Sequence, residues 1–301
     1  MMNLNLPKTR QWLLIIPPFL ATSVLTTSVP SNAATLAFSQ VDVQFTNFSQ
    51  STATIELVNQ ADISGETNGG LFGGQNNATN NFTASPPEVN SSAFSLAFGE
   101  SRDYIGSAQT QAGILANFDV GAGELFSFDF STTVNLQTAV DNPGIEKANA
   151  RGDISFFLFD TTNISPVEIQ DFFAHVISNI SSENIKFKYN PLDTFRLGGS
   201  LNTIGFQDFI NYQSSQSIVF KNENKETDFG GNQENASILI RGSLQRNFAN
   251  TSNVTLIAIR RSKSQVKVPE SSFRIAFIFL LLIIAVIGFP RRKTRVINSE
   301  S

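Results

Sequence analysis

The feature that most constrains the fold is a strict alternation of phenylalanine with small polar residues. In residues 125–131, Phe126, Phe128 and Phe130 alternate with Ser and Asp. The three rings would share one face of an extended strand, whereas a helix would scatter them around its circumference. The chain has no Cys, so aromatic packing rather than a disulfide framework must hold such a core together.

The same period of two recurs along the chain and predicts further strands. Turn-forming residues separate these segments, as in Asp141-Asn142-Pro143-Gly144. Residues 59–90 are rich in Gly, Asn and Thr, and we interpret them as a long loop. The pattern predicts an all-β domain, either a β-sandwich or a jelly-roll. The remaining predicted strands are residues 36–48, 52–58, 93–98, 113–119, 153–160, 185–189, 195–203, 217–221, 236–248 and 254–260.

One segment departs from this pattern and predicts a single short amphipathic helix. Ser165, Pro166 and Glu168 form the N-cap, first-turn proline and third-position acid of a capping box. Apolar residues then recur at helical spacing. We expect this helix to cross the edge of the sheet. Its apolar positions are Ile169, Phe172, Phe173, Val176, Ile177 and Ile180.

The N-terminus has the features of a secretory signal peptide. Lys8 and Arg10 precede an apolar stretch that runs to about residue 29, and the small residues Ala33 and Ala34 follow it. A basic start, an apolar middle and a small-residue exit are typical of such peptides. We predict that residues 1–33 are a signal peptide, exported through the Sec translocon and cleaved after Ala33 or Ala34. An uncleaved anchor helix is the alternative.

The C-terminus predicts a membrane-spanning helix. Residues 273–289 are apolar except for Arg274, and Arg291, Arg292 and Lys293 follow at once. The stretch approaches the ~20 residues that span a membrane, and a basic cluster retains such a tail in the cytoplasm. Residues 34–267 would then form one extracytoplasmic domain. A buried globular helix is the alternative interpretation.

A short motif lies directly before the predicted transmembrane helix. Val268, Pro269 and Glu270, the apolar helix and the Arg-rich finish together cover residues 268–295. This arrangement resembles the PEP-CTERM sorting signal of bacterial exosortase substrates, although Ser271 replaces the usual second proline. Residues 153–157 and 229–234 are similar to cyanobacterial members of that group. The resemblance implies that a membrane-embedded exosortase removes the signal and releases or attaches the protein outside the inner membrane.

Composition and charge exclude several functional classes. A single His and no Cys leave no multi-His site, no Cys-ligated zinc and no thiol nucleophile. Without the two targeting segments the body carries 14 Lys and Arg and 23 Asp and Glu, a net charge of −9. This acidic balance argues against a nucleic-acid partner and suits a soluble extracytoplasmic protein.

The candidates for catalysis are few. His175 is the one histidine, and we interpret it as part of the amphipathic helix rather than as a general base. The pairs Asp119 with Asp129, and Glu124 with Asp129, have the residue types of a glycosidase, but any acidic β-protein offers such pairs by chance. No Gly-x-Ser-x-Gly nucleophile elbow is present. We therefore predict a non-enzymatic protein without catalytic residues.

One loop offers ligands for a metal ion. Asp228, Asn232 and Glu234 surround Gly230 and Gly231 with the hard oxygen ligands that Ca²⁺ prefers. No EF-hand pattern accompanies them. This loop is the one candidate calcium site, and we expect no other cofactor.

These features together predict an exported, non-enzymatic protein of the cell envelope or the extracellular matrix. The membrane would hold the precursor through its C-terminal helix until processing. The alternative is a lectin-like surface module that binds an exopolysaccharide, and a glycan-active enzyme is the third possibility. Sugar-binding proteins often stack sugars on Trp or Tyr, but the body has just Tyr104, Tyr189 and Tyr212 and no Trp.

Overall fold

The computed structural model describes residues 34–101, 103–179, 188–203 and 207–268. The predicted signal peptide and the segment from Pro269 onward lie outside the described residues. That segment contains Glu270, the predicted helix 273–289 and Arg291, Arg292 and Lys293. Within the described ranges, no helix is long and apolar enough to cross a membrane.

The described chain consists of antiparallel strands and one helix, as the alternation of the sequence predicts. Each strand is named by its order along the chain. The elements are β1 (Ala34–Thr46), β2 (Thr52–Thr67), β3 (Leu71–Ala84), β4 (Pro87–Glu100), β5 (Tyr104–Val120), β6 (Leu125–Val140), β7 (Lys147–Asp160), α1 (Pro166–Asn179), β8 (Asp193–Asn202), β9 (Phe209–Ser214), β10 (Ile218–Asp228), β11 (Gln233–Asn247) and β12 (Ser252–Val268).

The strands form two six-stranded sheets. Sheet 1 has the order β10-β11-β6-β1-β4-β3, and sheet 2 has the order β2-β5-β12-β7-β8-β9. Every neighbouring pair is antiparallel. Buried apolar residues of both sheets belong to one core cluster, so the two sheets face each other as in a β-sandwich.

One end of the interior is aromatic. Phe126, Phe128 and Phe130 are at most 3% exposed, which confirms the predicted inward face of β6. Across the interface, the ring centroids of Phe128 and Phe156 lie 5.8 Å apart, and those of Phe130 and Phe195 lie 5.2 Å apart. Each such pair contributes about 0.5–1.5 kcal/mol beyond its buried area.

A second region of the interior contains buried serine and threonine hydroxyls. Ser262 of β12 donates to the backbone oxygen of Ser39 at 2.6 Å, and Ser39 donates to that of Arg151 at 2.7 Å. Thr110 donates across the interface to the backbone oxygen of Phe94 at 2.5 Å. Direct bonds from side chain to facing backbone require the two sheets to lie close together here.

The helix confirms its predicted capping box. The Ser165 hydroxyl accepts from the backbone N of Glu168 at 3.3 Å and donates to its carboxylate at 3.2 Å. The predicted position at the sheet edge is wrong, because α1 packs on the outer face of sheet 2. There Phe173 and Ile177 lie above Gly113, where the missing side chain leaves room for the helix to approach. Ile180 lies outside the described residues.

The interpretation of residues 59–90 as a long loop is wrong. Much of the segment forms β2 and β3, one edge strand of each sheet. Two asparagine side chains of β3 each donate to both residues of a cross-strand pair in sheet 2. The Asn76 amide donates to the backbone oxygens of Asp62 and Gln109 at 2.7 and 3.0 Å. The Asn80 amide donates to those of Val58 and Gly113 at 3.2 and 3.4 Å.

This amide-rich composition misled the prediction because Asn and Gly favour turns when nothing nearby uses their polar groups. Here the amides connect the two sheets along one side. Several strands also extend beyond their predicted ends, and two segments differ in kind. Lys188 and Tyr189 form a bend rather than a strand, and the short edge strand β9 was not predicted because its alternation spans too few residues.

Candidate functional site

The outer face of sheet 2 is divided into an apolar half and a polar half. Helix α1 covers the apolar half, where Leu115, Phe157 and Ile257 form a second buried cluster with it. The outward residues then change in character along each strand. In β12 the change falls between Ile259, which is buried in that cluster, and Arg261, which lines an open trough.

The polar half forms this trough, which has a volume of about 600 Å³ beside the helix. Its residues come from five strands, β2, β5, β12, β7 and β8, and none of them is aromatic. A second depression of about 640 Å³ continues it and shares Asn149 and Gln265 with it. The two depressions form one continuous surface, and from here on the trough means all the residues that line either of them.

Strand register arranges the trough in four rows. The outermost row contains Glu66 and Ile105, and the innermost row lies against the helix end. From the helix outward the rows are Gln60-Gln111-Arg261-Asp153, Asp62-Gln109-Lys263-Arg151-Ser200, Ser64-Ser107-Gln265-Asn149-Asn202 and Glu66-Ile105-Lys267-Lys147.

The first row is held by the C-terminal end of α1. The Gln111 amide donates to the backbone oxygen of Ile177 at 2.8 Å, and the Arg261 guanidinium donates to the same oxygen at 3.1 Å. Arg261 also donates to the Gln111 side-chain oxygen at 2.9 Å. A cation at the last carbonyls of a helix is favourable, so the helix end fixes these side chains at the wall of the trough.

Electrostatics in the trough differ from those of the whole body. Arg151 and Asp153 form an ion pair at 2.9 Å. Partial burial lowers the pKa of Arg261, with Asp153 opposing and Arg151 adding to the shift. Five basic and three acidic side chains line the trough, although the body as a whole is acidic. The basic residues occupy the central strands β12 and β7, while Asp62 and Glu66 lie on the edge strand β2.

Below the trough lies a buried arginine. Arg260 is 0% exposed, and its Nη2 donates to the Asn80 side-chain oxygen at 2.9 Å. Its Nε and Nη1 have no hydrogen-bond partner in the described structure. Burial lowers the pKa of Arg260 to about 9, partly offset by Asp42. A pKa of about 9 leaves the guanidinium charged at neutral pH. No carboxylate in the described ranges forms an ion pair with it.

The structure separates Asp119 from Asp129, the first predicted catalytic pair. Asp119 points outward from sheet 2 and Asp129 points outward from sheet 1, so these two face opposite sides of the domain. Burial would raise the pKa of Asp129, but hydrogen bonds from Lys221 and Asn47 outweigh it and lower the pKa. A glycosidase acid needs a raised pKa. Glu124 instead accepts from the backbone N of Gly121 at 2.9 Å in a turn, and His175 is exposed on α1.

The candidate calcium ligands lie around the turn between β10 and β11. Glu234 accepts from Thr138 at 2.8 Å and from the backbone N of Gly230 at 3.2 Å, so both of its oxygens have protein partners. Asp228 is exposed, and the Asn232 backbone oxygen accepts from Val140 N at 2.8 Å. No group of three His, Cys, Asp or Glu in the described ranges is arranged to hold a metal ion.

Two of the predicted processing residues lie within the described structure. Ala34 begins β1, and its backbone N donates to the Asp141 carboxylate at 3.0 Å. Val268 is buried at the end of β12. Ala33 and the remaining residues of the predicted sorting motif, from Pro269 onward, lie outside the described residues.

Sequence reasoning missed the trough. Its strongest signal was present in β12, where Arg261, Lys263, Gln265 and Lys267 alternate with inward-facing residues. The predicted strand stopped at residue 260, so this polar face was not recognised. Comparison of the chain with protein-family models, with curated proteins and with solved structures found no match.

Proposed function

We propose that this chain is an exported, non-enzymatic protein of the cell envelope or matrix whose β-sandwich domain binds an extracellular polysaccharide. The observation that carries this proposal is the open trough on sheet 2. Its amides and charged groups lie on paired strands, which give a rigid, extended surface of donors and acceptors. A long polymer fits such a surface better than a small molecule, which is usually bound in an enclosed, largely apolar pocket.

The side chains of the trough suit sugar hydroxyl groups. Gln109, Gln111, Gln265 and Asn149 each offer both a donor and an acceptor, and a hydroxyl needs both. The described trough has no aromatic platform, so recognition would depend on hydrogen bonds and charge. Asp119 and Asp129 face opposite sides of the domain and offer no acid–base pair, which favours binding over glycan cleavage.

The start of the fold supports one of the two predicted cleavage positions. Cleavage after Ala33 would convert the Ala34 nitrogen into an ammonium group beside the Asp141 carboxylate, at the 3.0 Å contact already present. Charge-assisted hydrogen bonds of this kind are the stronger ones. Cleavage after Ala34 would remove that partner. The contact therefore supports a mature chain that begins at Ala34.

Binding is tested with the chain recovered from its native cells, by affinity electrophoresis in gels that contain the exopolysaccharide of those cells. We expect retarded migration, and at least tenfold weaker binding when Gln109→Ala and Asn149→Ala are combined. Gln137→Ala, on the outer face of sheet 1, is the matched control and should bind normally. Equal retardation of all variants would place binding elsewhere, and no retardation in any gel would refute the binding function.

Placement is tested by terminal-peptide mass spectrometry on protein from the membrane and from the medium separately. Exosortase processing predicts chains that begin at Ala34 and end between residues 269 and 272. Peptides containing residues 297–301 in the membrane fraction would instead mark the tail as an ordinary anchor.

A further inference from the structure

The trough contains two cross-strand pairs of like charge. Lys263 of β12 lies directly opposite Arg151 of β7, and Lys267 lies directly opposite Lys147. Residues directly opposite in an antiparallel pair have Cβ atoms about 4.5–5.5 Å apart, and like charges there destabilise the sheet. Two such pairs follow each other on one face of the same two strands.

Neighbouring carboxylates neutralise only part of this positive charge. Asp153 forms its ion pair with Arg151. Lys147, Lys263 and Lys267 form no ion pair with any carboxylate in the described ranges. Asp62 and Glu66 lie on β2, and β5 separates them from β12. The positive charge therefore forms a stripe along the centre of the trough, within a body whose overall charge is negative.

The amides between the two charged pairs extend the same surface. Gln265 and Asn149 face each other in the row between them. Lys263 and Lys267 are four residues apart on one strand, which places the two charged rows about 13 Å from each other. Natural proteins that break the rule against facing like charges tend to do so at functional sites, and an anion lying on these rows would offset their repulsion.

We infer that the trough takes an anionic glycan, whose acidic groups lie on the Lys263–Arg151 and Lys267–Lys147 pairs and whose hydroxyl groups contact the amides between them. The inference rests on the proposed polysaccharide-binding function and specifies its ligand class. The shared chemistry is a sugar chain that carries carboxylate or sulfate groups. Exposed charges of this kind are screened by salt, so binding weakens as ionic strength rises.

The test measures binding of the full chain to immobilised polygalacturonate, dextran sulfate, neutral dextran and single-stranded DNA. We expect at least tenfold tighter binding to an anionic polymer than to dextran. Whichever anionic polymer binds more tightly shows whether the trough prefers carboxylate or sulfate groups. Lys263→Gln combined with Lys267→Gln should remove at least tenfold of that affinity. The control, Lys221→Gln with Arg241→Gln, removes the same charge from the outer face of sheet 1 and should change affinity less than twofold.

The other outcomes separate this inference from the proposed function. Equal, salt-independent binding of dextran would overturn the anionic preference and leave polysaccharide binding standing. If the control variant loses as much affinity as the trough variant, the effect comes from net charge alone and the trough is not the binding site. Tighter binding of single-stranded DNA than of either anionic glycan would assign the trough to nucleic acid. Binding to none of the polymers would count against both proposals.

Discussion

Ser95 of sheet 1 and Ser262 of sheet 2 are hydrogen-bonded through their hydroxyl oxygens at 2.8 Å, and both are buried. Ser95 also contacts the Ser264 hydroxyl at 2.9 Å, and Ser264 donates to the Ser95 backbone oxygen at the same distance. These bonds hold the sheets together directly beneath the trough. A rigid floor of this kind keeps the side chains of the trough in a fixed arrangement.

Substitution at Ser95 tests how close the two sheets are. Ser95→Ala should lower the free energy of unfolding by about 1 kcal/mol because it removes the shared hydroxyl. Ser95→Val should cost a further ~1–3 kcal/mol, since its bulk does not fit between the closely packed sheets. Urea unfolding measures both changes. Ser131→Ala, on the outer face of sheet 1, is the control and should stay within ~0.5 kcal/mol of the parent chain.

Asn80 should be far more important to stability than its neighbour Asn77. Asn80→Ala removes donors to backbone oxygens of sheet 2 and the acceptor of Arg260, so we expect a loss of about 3 kcal/mol. Asn77 is exposed on the same strand, and Asn77→Ala should change stability by less than ~0.5 kcal/mol. Equal effects in urea unfolding would contradict a bridging role for the Asn80 amide.

Arg260→Met should increase stability. The substitution replaces a buried charge that has two unbonded nitrogens with an apolar side chain of similar length. We expect the free energy of unfolding to rise by about 1–2 kcal/mol. Asn80→Ala should also cost less in the Arg260→Met background, because the two residues interact directly. A less stable Arg260→Met chain would contradict a net cost of burying this guanidinium.

Glu234→Gln should stabilise the domain at neutral pH but not in acid. Burial raises the pKa of Glu234, and Asp208 adds to this shift, while hydrogen bonds from Thr138 and Gly230 oppose it. The folded state therefore holds this proton more tightly than the unfolded state. The protonated Glu234 carboxyl thus stabilises the fold. This stabilisation is fully present below pH 4.5, the pKa of the carboxyl in the unfolded chain, and is lost as pH rises through the raised pKa of the folded state.

Urea unfolding of both chains at neutral pH and below pH 4.5 measures this difference. The advantage of Glu234→Gln should vanish in acid. Asp208→Asn is the companion variant, since removing the neighbouring charge should make the pH dependence of Glu234 weaker. An advantage that is independent of pH would assign the effect to packing instead.

Phe173→Ala tests the contact between the helix and sheet 2. Phe173 is 2% exposed, and its loss should cost about 3–5 kcal/mol. Glycan binding should weaken as well, because Gln111 and Arg261 depend on the backbone oxygen of Ile177 for their position. Val167→Ala is the control, since Val167 is 67% exposed. Normal glycan binding by a destabilised Phe173→Ala chain would show that binding in the trough does not depend on the helix.

The sequence by itself determined the strands with strict alternation and the start of the helix. Phe126, Phe128 and Phe130 share a face through backbone geometry alone, and the Ser165–Glu168 capping box is a local hydrogen-bond pattern. Both depend on residues close together in the chain. The tertiary structure was needed for the role of Asn76 and Asn80, because their acceptors lie on distant strands of the facing sheet.

The trough was also decided by tertiary structure alone. Lys263 and Arg151 are far apart in sequence, and strand order and register place them opposite each other. The alternation of β12 shows which residues point outward, but not which of them the helix covers. Burial of that face depends on where α1 packs, and the packing depends on the apolar surface that several strands form together.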